Sequence, residues 1–152
     1  MEKLLKQNYR SFIGDLTLTA SGTKLVSIEF KKTQRAESNR ILVQAKKELD
    51  LYFAGKLKQF KVPLHLDGTE FQKKCWHELL NISYGQTISY KEQAIKVGGG
   101  ANYARAVAGA NNKNVLPIII PCHRVIGSNN SLVGYAGGLG IKKALLNLEE
   151  KN

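Results

Sequence analysis

Over the first thirty residues the apolar positions are separated by polar ones: Phe12, Leu16, Leu18, Leu25, Val26, Ile28 and Phe30, with Ser21-Gly22 as a turn signal. A period near two places side chains on alternate faces of a strand and predicts two or three antiparallel strands. Residues 31–39 are polar and charged and predict a loop. The period then lengthens. Ile41, Leu42, Ala45, Leu49, Tyr52 and Phe53 recur every three or four residues, an apolar stripe along one helix, with Ser38 as its expected N-cap and Gly55 as its stop. Residues 58–66 predict one more strand, held at a sheet edge by Pro63, whose nitrogen has no hydrogen to donate. Asp67-Gly68-Thr69 marks the expected boundary between an amino-terminal lobe, 1–66, and a carboxy-terminal domain, 67–152.

The second half has a helical rhythm. Thr69 is the expected cap of a helix with Phe71, Cys75, Leu79 and Leu80 facing inward, and Tyr84-Gly85 turns the chain. Ser89 is expected to cap a short helix over 90–97, which Gly98-Gly99-Gly100 ends. Another helix runs from Asn102 or a neighbouring glycine through Ala110. Two short helices joined by a tight glycine turn make a helix-turn-helix pattern. The second of them is built almost wholly of small residues, so its backbone can come close to a DNA groove or to another helix. Residues 115–120 are apolar and β-branched, a short buried strand or extended segment that delivers Cys122 from the interior. Residues 127–140 form a glycine-rich loop. A last helix covers 141–148, with Leu145, Leu146 and Leu148 apolar and Glu149 just beyond it.

Composition changes this picture in one respect. The 152 residues include 23 Lys and Arg against 12 Asp and Glu, a net charge of +11. Such a surplus favours polyanions, nucleic acid first and an anionic membrane surface second. No apolar run approaches the roughly 18 residues of a membrane span, and no signal peptide is visible, so an intracellular, cytoplasmic protein with reduced thiols is expected. The two cysteines and three histidines show no zinc-ligand spacing, and no metal site is expected.

Chemistry concentrates at Cys122-His123-Arg124. A thiolate is the reactive form of cysteine, and neighbouring positive charge or a histidine favours it. Cys75, on the apolar face of its helix, reads as a core residue. Cys122 does not, because His123 and Arg124 are costly to bury beside it without partners.

Ile120-Pro121-Cys122-His123-Arg124-Val125 resembles the active-site signature of the O6-alkylguanine-DNA alkyltransferases, also called methylated-DNA–protein-cysteine methyltransferases. Ile88-Ser89-Tyr90, Ala104-Arg105-Ala106-Val107, Asn114 with Pro117, and Tyr135-Ala136-Gly137-Gly138-Leu139 resemble further blocks of that family, in order. The similarity spans about 69–149 and extends weakly into the first half through Gly22, Ile28-Glu29-Phe30 and Val62-Pro63-Leu64.

The resemblance implies an α+β protein: a small antiparallel-sheet, RNase H-like amino-terminal lobe and a helical, winged-helix-like carboxy-terminal lobe with a helix-turn-helix. It implies a stoichiometric, self-inactivating transfer of an alkyl group from O6-alkylguanine in double-stranded DNA to Cys122, by a monomer, with no metal or organic cofactor. Cys122 matches the acceptor, and His123 the histidine that deprotonates it through a water. An extended chain would point these neighbours to opposite sides and leave room for that water. Glu149 matches the carboxylate that orients the histidine, Asn114 a brace near the cysteine, and Tyr90 the tyrosine that helps protonate the departing base. Arg105 matches the arginine that replaces the extruded nucleotide, on a helix whose Ala104, Ala106 and Ala108 suit a minor groove. The carbonyls of Cys122 and Val125, with Tyr135, Ala136 and Gly137, match the guanine pocket. Arg124 is expected to pair with backbone or an acidic residue and hold the loop.

Two departures stand out. Many relatives carry serine at the position of Ala136, and the zinc site of some amino-terminal lobes is missing, leaving His65 a plain strand residue. Three other classes compete with repair. An alkyltransferase-like binding module lacks the acceptor cysteine. A transcription regulator leaves the blocks after Gly127 without a purpose. A cysteine hydrolase turns over.

Overall fold

A computed structural model describes residues 3–127 and 132–152, so the expected glycine-rich loop falls partly on 128–131, outside the described residues. The chain divides into two compact units, Met1–Asp67 and Gly68–Asn152. The class is α+β, with a sheet and one main helix in the first unit and helices dominating the second.

In the first unit β1 (Leu5–Ser11), β2 (Gly14–Ala20) and β3 (Leu25–Glu29) form an antiparallel sheet in that order. Tyr9 lies opposite Leu16 and Leu18 opposite Ile28, with a bulge at Thr19/Ala20. Leu16, Leu18 and Ala20 of the central strand are buried with Ile41, Leu42, Ala45, Leu49 and Tyr52 of α1 (Arg40–Phe53). The Tyr9 hydroxyl donates to Asp50 Oδ1 at 2.7 Å and ties sheet to helix. The cap of α1 is Asn39 rather than Ser38: its Oδ1 accepts from Leu42 N–H at 2.9 Å while its amide donates to the Ser21 carbonyl. Gly55, at φ +74°, ends the helix as expected.

The edge strand expected over 58–66 does not form. The segment makes a single bridge, Leu25 opposite Leu64, with Leu25 N–H to the Pro63 carbonyl and His65 N–H to the Leu25 carbonyl. The N–H groups of Lys61 and Val62 go instead to the Glu48 carboxylate, and Pro63 has none to give a ladder.

In the second unit α2 (Glu70–Leu79) begins at a capping box, Thr69 with Gln72. Its buried residues are Cys75, Trp76 and Leu79; Phe71 is half-buried and Leu80 is exposed, so the expected inward face is rotated toward Trp76. The cause is a long-range bond: the buried indole N–H donates to the Ala110 carbonyl at 2.9 Å. A Cβ on Gly68 would meet the Trp76 ring at 2.6 Å, which explains the glycine there. Ser89 and Glu92 make a second capping box at α3 (Tyr90–Lys96). A 3-10 turn (Ala101–Tyr103) then leads into α4 (Ala104–Asn112), completing the helix-turn-helix. The two-residue strands β4 (Ile88–Ser89) and β5 (Val125–Ile126) pair in parallel, and α5 (Leu139–Lys151) closes the chain. Among the described residues no helix is long and apolar enough to cross a membrane.

Candidate functional site

Residues 115–120 are not the strand or extended segment expected. The chain doubles back, Pro117 bridging Ile120 and Ile120 N–H bonding the Leu116 carbonyl. Ile118 is held at φ +77°, a left-handed conformation that a β-branched residue adopts only when its surroundings impose it. Asn114 imposes part of it. Its Oδ1 accepts from Leu116 N–H at 2.9 Å and its Nδ2 donates to the Ile120 carbonyl at 2.8 Å, so one side chain staples both ends of the loop.

The loop delivers Cys122 into a 3-10 turn, Cys122–Arg124, not the extended chain expected, and all three residues are buried. Burial pushes the Cys122 thiol up to about 11; the hydrogen bond from Asn114 and the charge of Lys142 oppose it only partly. Cys75 is buried as expected for a core residue and is likewise pushed up to about 11, chiefly by burial.

Burial of His123 and Arg124 is made tolerable by Glu149, which lies within α5 and not beyond it. His123 Nε2 faces Glu149 Oε2 at 2.6 Å; Arg124 donates through Nε to Oε1 at 2.8 Å and through Nη2 to Oε2 at 3.0 Å. The remaining guanidinium Nη1 donates to the Ile82 carbonyl at 2.7 Å. Burial would raise the Glu149 carboxyl, but these hydrogen bonds and charges hold it well below the usual carboxylate range. For His123 burial wins, and its pKa is lowered despite the carboxylate. The ring is therefore neutral near pH 7, with Nε2 carrying the proton toward Glu149. Nδ1 is buried and has no hydrogen-bond partner among the described residues.

Sequence reasoning passed over Lys142. It is fully buried, and its ammonium donates to the carbonyls of Val125 (2.7 Å), Val133 (3.0 Å) and Gly134 (3.2 Å), with the Tyr90 hydroxyl at 3.4 Å. Burial lowers its pKa, and the charge of Cys122 partly restores it. One cation thus gathers β5, α3 and residues 133–134. The spacing carried the signal: Lys142, Leu145 and Glu149 lie three and four residues apart, the buried stripe of α5 with a charge at either end. Tyr90 also donates to the Val133 carbonyl at 2.8 Å, and burial, then the charge of Cys122, pushes its hydroxyl up to about 12. Tyr135 is raised as well, by burial and then by the charges of Cys122 and Glu149. Ala136 is exposed and Gly137 half-buried in the turn before α5.

In the helix-turn-helix, α3 and α4 are joined by a reciprocal amide pair: Gln93 Nε2 to Asn111 Oδ1 at 3.1 Å and Asn111 Nδ2 to Gln93 Oε1 at 2.8 Å, both residues buried. Sequence reasoning missed this pair too. Ala104, Arg105 and Ala108 of α4, with Asn112, line a cavity of about 280 Å3 whose other walls are Tyr90, Val133 and Gly134. Arg105 is exposed and has no ion-pair partner among the described residues; Ala106 is exposed but outside this cavity. Among the described residues no group of three or more His, Cys, Asp or Glu is placed to hold a metal ion.

Comparisons with known proteins agree with one another. The model of the 6-O-methylguanine DNA methyltransferase ribonuclease-like domain matches residues 4–66, and that of the 6-O-methylguanine DNA methyltransferase DNA binding domain matches residues 70–151. A methylated-DNA–protein-cysteine methyltransferase of Methanosarcina barkeri is 44% identical over 148 residues, covering 92% of this chain and 93% of the relative. One of Mycobacterium leprae is 46% identical over 147 residues, covering 91% and 87%. The crystal structure of Mycobacterium tuberculosis OGT in complex with DNA is similar with a TM-score of 0.89 at 42% identity, covering 96% of this chain and 92% of that one.

Proposed function

The chain belongs to the 6-O-methylguanine DNA methyltransferase family, and from that premise we propose that it repairs O6-alkylguanine in DNA by moving the alkyl group onto its own Cys122. The observation that carries the reading is the buried cysteine one residue from a neutral imidazole whose Nε2 is engaged by Glu149 and whose Nδ1 has no partner among the described residues.

The reaction is a displacement at the alkyl carbon. Cys122 Sγ attacks, the S–C bond forms as the C–O6 bond breaks, and guanine leaves. Because burial holds the thiol proton, a base must take it as the bond forms, and His123 Nδ1 takes it through one water. Glu149 keeps the imidazole in the tautomer that leaves Nδ1 able to accept. The departing guanine receives a proton from the Tyr90 hydroxyl, which its raised pKa keeps protonated until the leaving group demands it. The thioether has no leaving group, so each chain reacts once. One chain suffices for one lesion, and the protein acts as a monomer.

The target carbon lies inside the base stack, so the nucleotide must be extruded. Arg105, unpaired among the described residues on a helix face of alanines, fills the space left behind. Asn114 braces the cysteine loop. The carbonyls of Cys122 and Val125 receive the guanine donors; Lys142 engages one lone pair of the Val125 oxygen and leaves the other. Tyr135, Ala136 and Gly137 complete the pocket, and Ala136 offers only its backbone N–H where a serine would add a hydroxyl. The net charge of +11 supplies affinity for the duplex, steeply dependent on salt and insensitive to sequence.

The test is stoichiometric. Mixed with a duplex containing O6-methylguanine, the protein gains one methyl group per chain, and peptide masses place it on Cys122. Multiple turnover, or methyl on Cys75, rejects the reading. A second outcome separates chemistry from extrusion. Arg105→Ala is expected to slow transfer from duplex DNA by about 10-fold or more, since unstacking costs a few kcal/mol, while its rate on a free alkylated base stays near that of the parent. Equal losses on both substrates contradict the base-displacement role.

A further inference from the structure

Asn112 stands on the cavity face of α4, and no step above uses it. The face holds four residues: Ala104 and Ala108 offer no side-chain polar atom, and Arg105 only donates. Asn112 alone both donates and accepts. It is exposed, and its carboxamide has no hydrogen-bond partner among the described residues. It lines the same cavity as Tyr90. A Cβ on Gly134 would lie 3.7 Å from Asn112 Oδ1 and 3.8 Å from both Asn112 Nδ2 and the Tyr90 hydroxyl. Amide and phenol therefore flank the same backbone position, where φ +63° favours glycine.

We infer that Asn112 hydrogen-bonds the edge of the extruded purine and is a specificity-determining residue for alkyl transfer. The inference rests on the repair reading and deepens it. A nucleotide drawn out of the duplex loses its Watson–Crick partner, and every donor and acceptor on its edge must be matched again or left at a cost. The carbonyls of Cys122 and Val125 take the two hydrogens of the exocyclic amine, which leaves ring nitrogens as acceptors, and the Asn112 carboxamide can supply an N–H to one of them. Tyr90 is engaged with the leaving group and Arg105 with the gap in the duplex. Asn112 is the remaining polar side chain on the helix side of the cavity.

The experiment uses the full chain and free O6-benzylguanine, which needs no extrusion. Asn112→Leu keeps the number and branching of the side-chain heavy atoms and removes the amide. The concentration of free base giving half the limiting rate is expected to rise about tenfold, the loss of one hydrogen bond, with the limiting rate and the melting temperature near those of the parent. An unchanged half-saturating concentration overturns the inference, and so does a loss confined to binding of undamaged duplex. Asn112→Ala guards against a new apolar contact made by leucine and is expected to show the same shift. On a Cys122→Ser background the affinity for the same base is read directly by calorimetry, so the contact is tested even in a chain that transfers nothing. A parent protein that binds the base and never becomes alkylated rejects the repair reading, while the affinity difference that Asn112→Leu makes on the Cys122→Ser background still decides the role of the amide.

Discussion

A Cys122→Ala chain is expected to bind alkylated duplex DNA with nearly the affinity of the parent and to leave the lesion untouched. The substitution removes one buried sulfur and no charge, so the +11 surplus that draws DNA is unaltered. Gel-shift titrations at two salt concentrations should give the same steep slope for both proteins, while mass spectrometry of the variant shows no methyl adduct at any time. An adduct on the variant would move the acceptor elsewhere and undo the assignment. The pH profile of the parent sharpens the test. With its thiol pushed up to about 11, Cys122 at pH 7 would be ionised in roughly one molecule in ten thousand if it titrated alone. A rate governed by that ionisation climbs tenfold per pH unit through neutrality. A rate governed by the imidazole does not. His123 has a pKa lowered by burial, so it is already neutral at pH 7 and the rate is flat there, falling only once acid protonates the ring below the ordinary imidazole value of about 6.5.

Replacing Glu149 by alanine is expected to damage stability and reaction together. The carboxylate accepts from His123 and twice from Arg124, and also from Gly85 N–H at 3.3 Å. Without it a guanidinium that is 6% exposed stays in the interior with the Ile82 carbonyl and no counter-charge. Breaking a buried pair from one side costs roughly 3–5 kcal/mol, against a total of about 5–15 kcal/mol for an ordinary domain. Urea denaturation should show the midpoint falling by a large fraction of its parental value. Because the alanine chain is liable to unfold, Glu149→Gln gives the cleaner reading of chemistry. It keeps the volume but frees the imidazole tautomer, and the transfer rate is expected to drop by about 10²-fold or more.

Acid supplies a second measurement. The folded carboxyl of Glu149 is held below its unfolded value, so its contribution to stability is complete above about pH 4.3 and is lost as pH falls through the folded value. His123 acts in the same sense, since its lowered pKa means the folded state resists the proton that the unfolded chain takes up below about 6.5. Stability of the parent should therefore decline from about pH 6.5 downward and more steeply below about 4, and Glu149→Gln should lose the lower part of that decline. An identical acid profile for the two proteins would mean that Glu149 is not ionised in the folded chain.

Local signals were legible because their physics is local. The alternation before residue 30, the stripe of α1, the caps at Thr69 and Ser89 and the glycine turn between α3 and α4 each depend on neighbours within a few positions, and each element formed. The short block around Cys122 was enough to single out the cysteine and to imply the family. Errors gathered where a distant partner decides. Asn39 became the cap of α1 because its amide also reaches Ser21, and the strand over 58–66 was lost to the carboxylate of Glu48. Trp76 turned α2 toward the carbonyl of Ala110, 34 positions away.

The order of strands then helices, the basic character of the chain and the helix-turn-helix pattern follow from periodicity and composition along the sequence, while the α+β class and the acceptor sulfur were implied by the contiguous blocks that resemble the family. Only the tertiary structure decided what lets that sulfur sit beside two basic side chains. Glu149 and Lys142 come from α5, far along the chain, and a buried charge is tolerable only where another element supplies its partners. Which element does so depends on how the helices pack, and no pattern within a few residues of Cys122 records it.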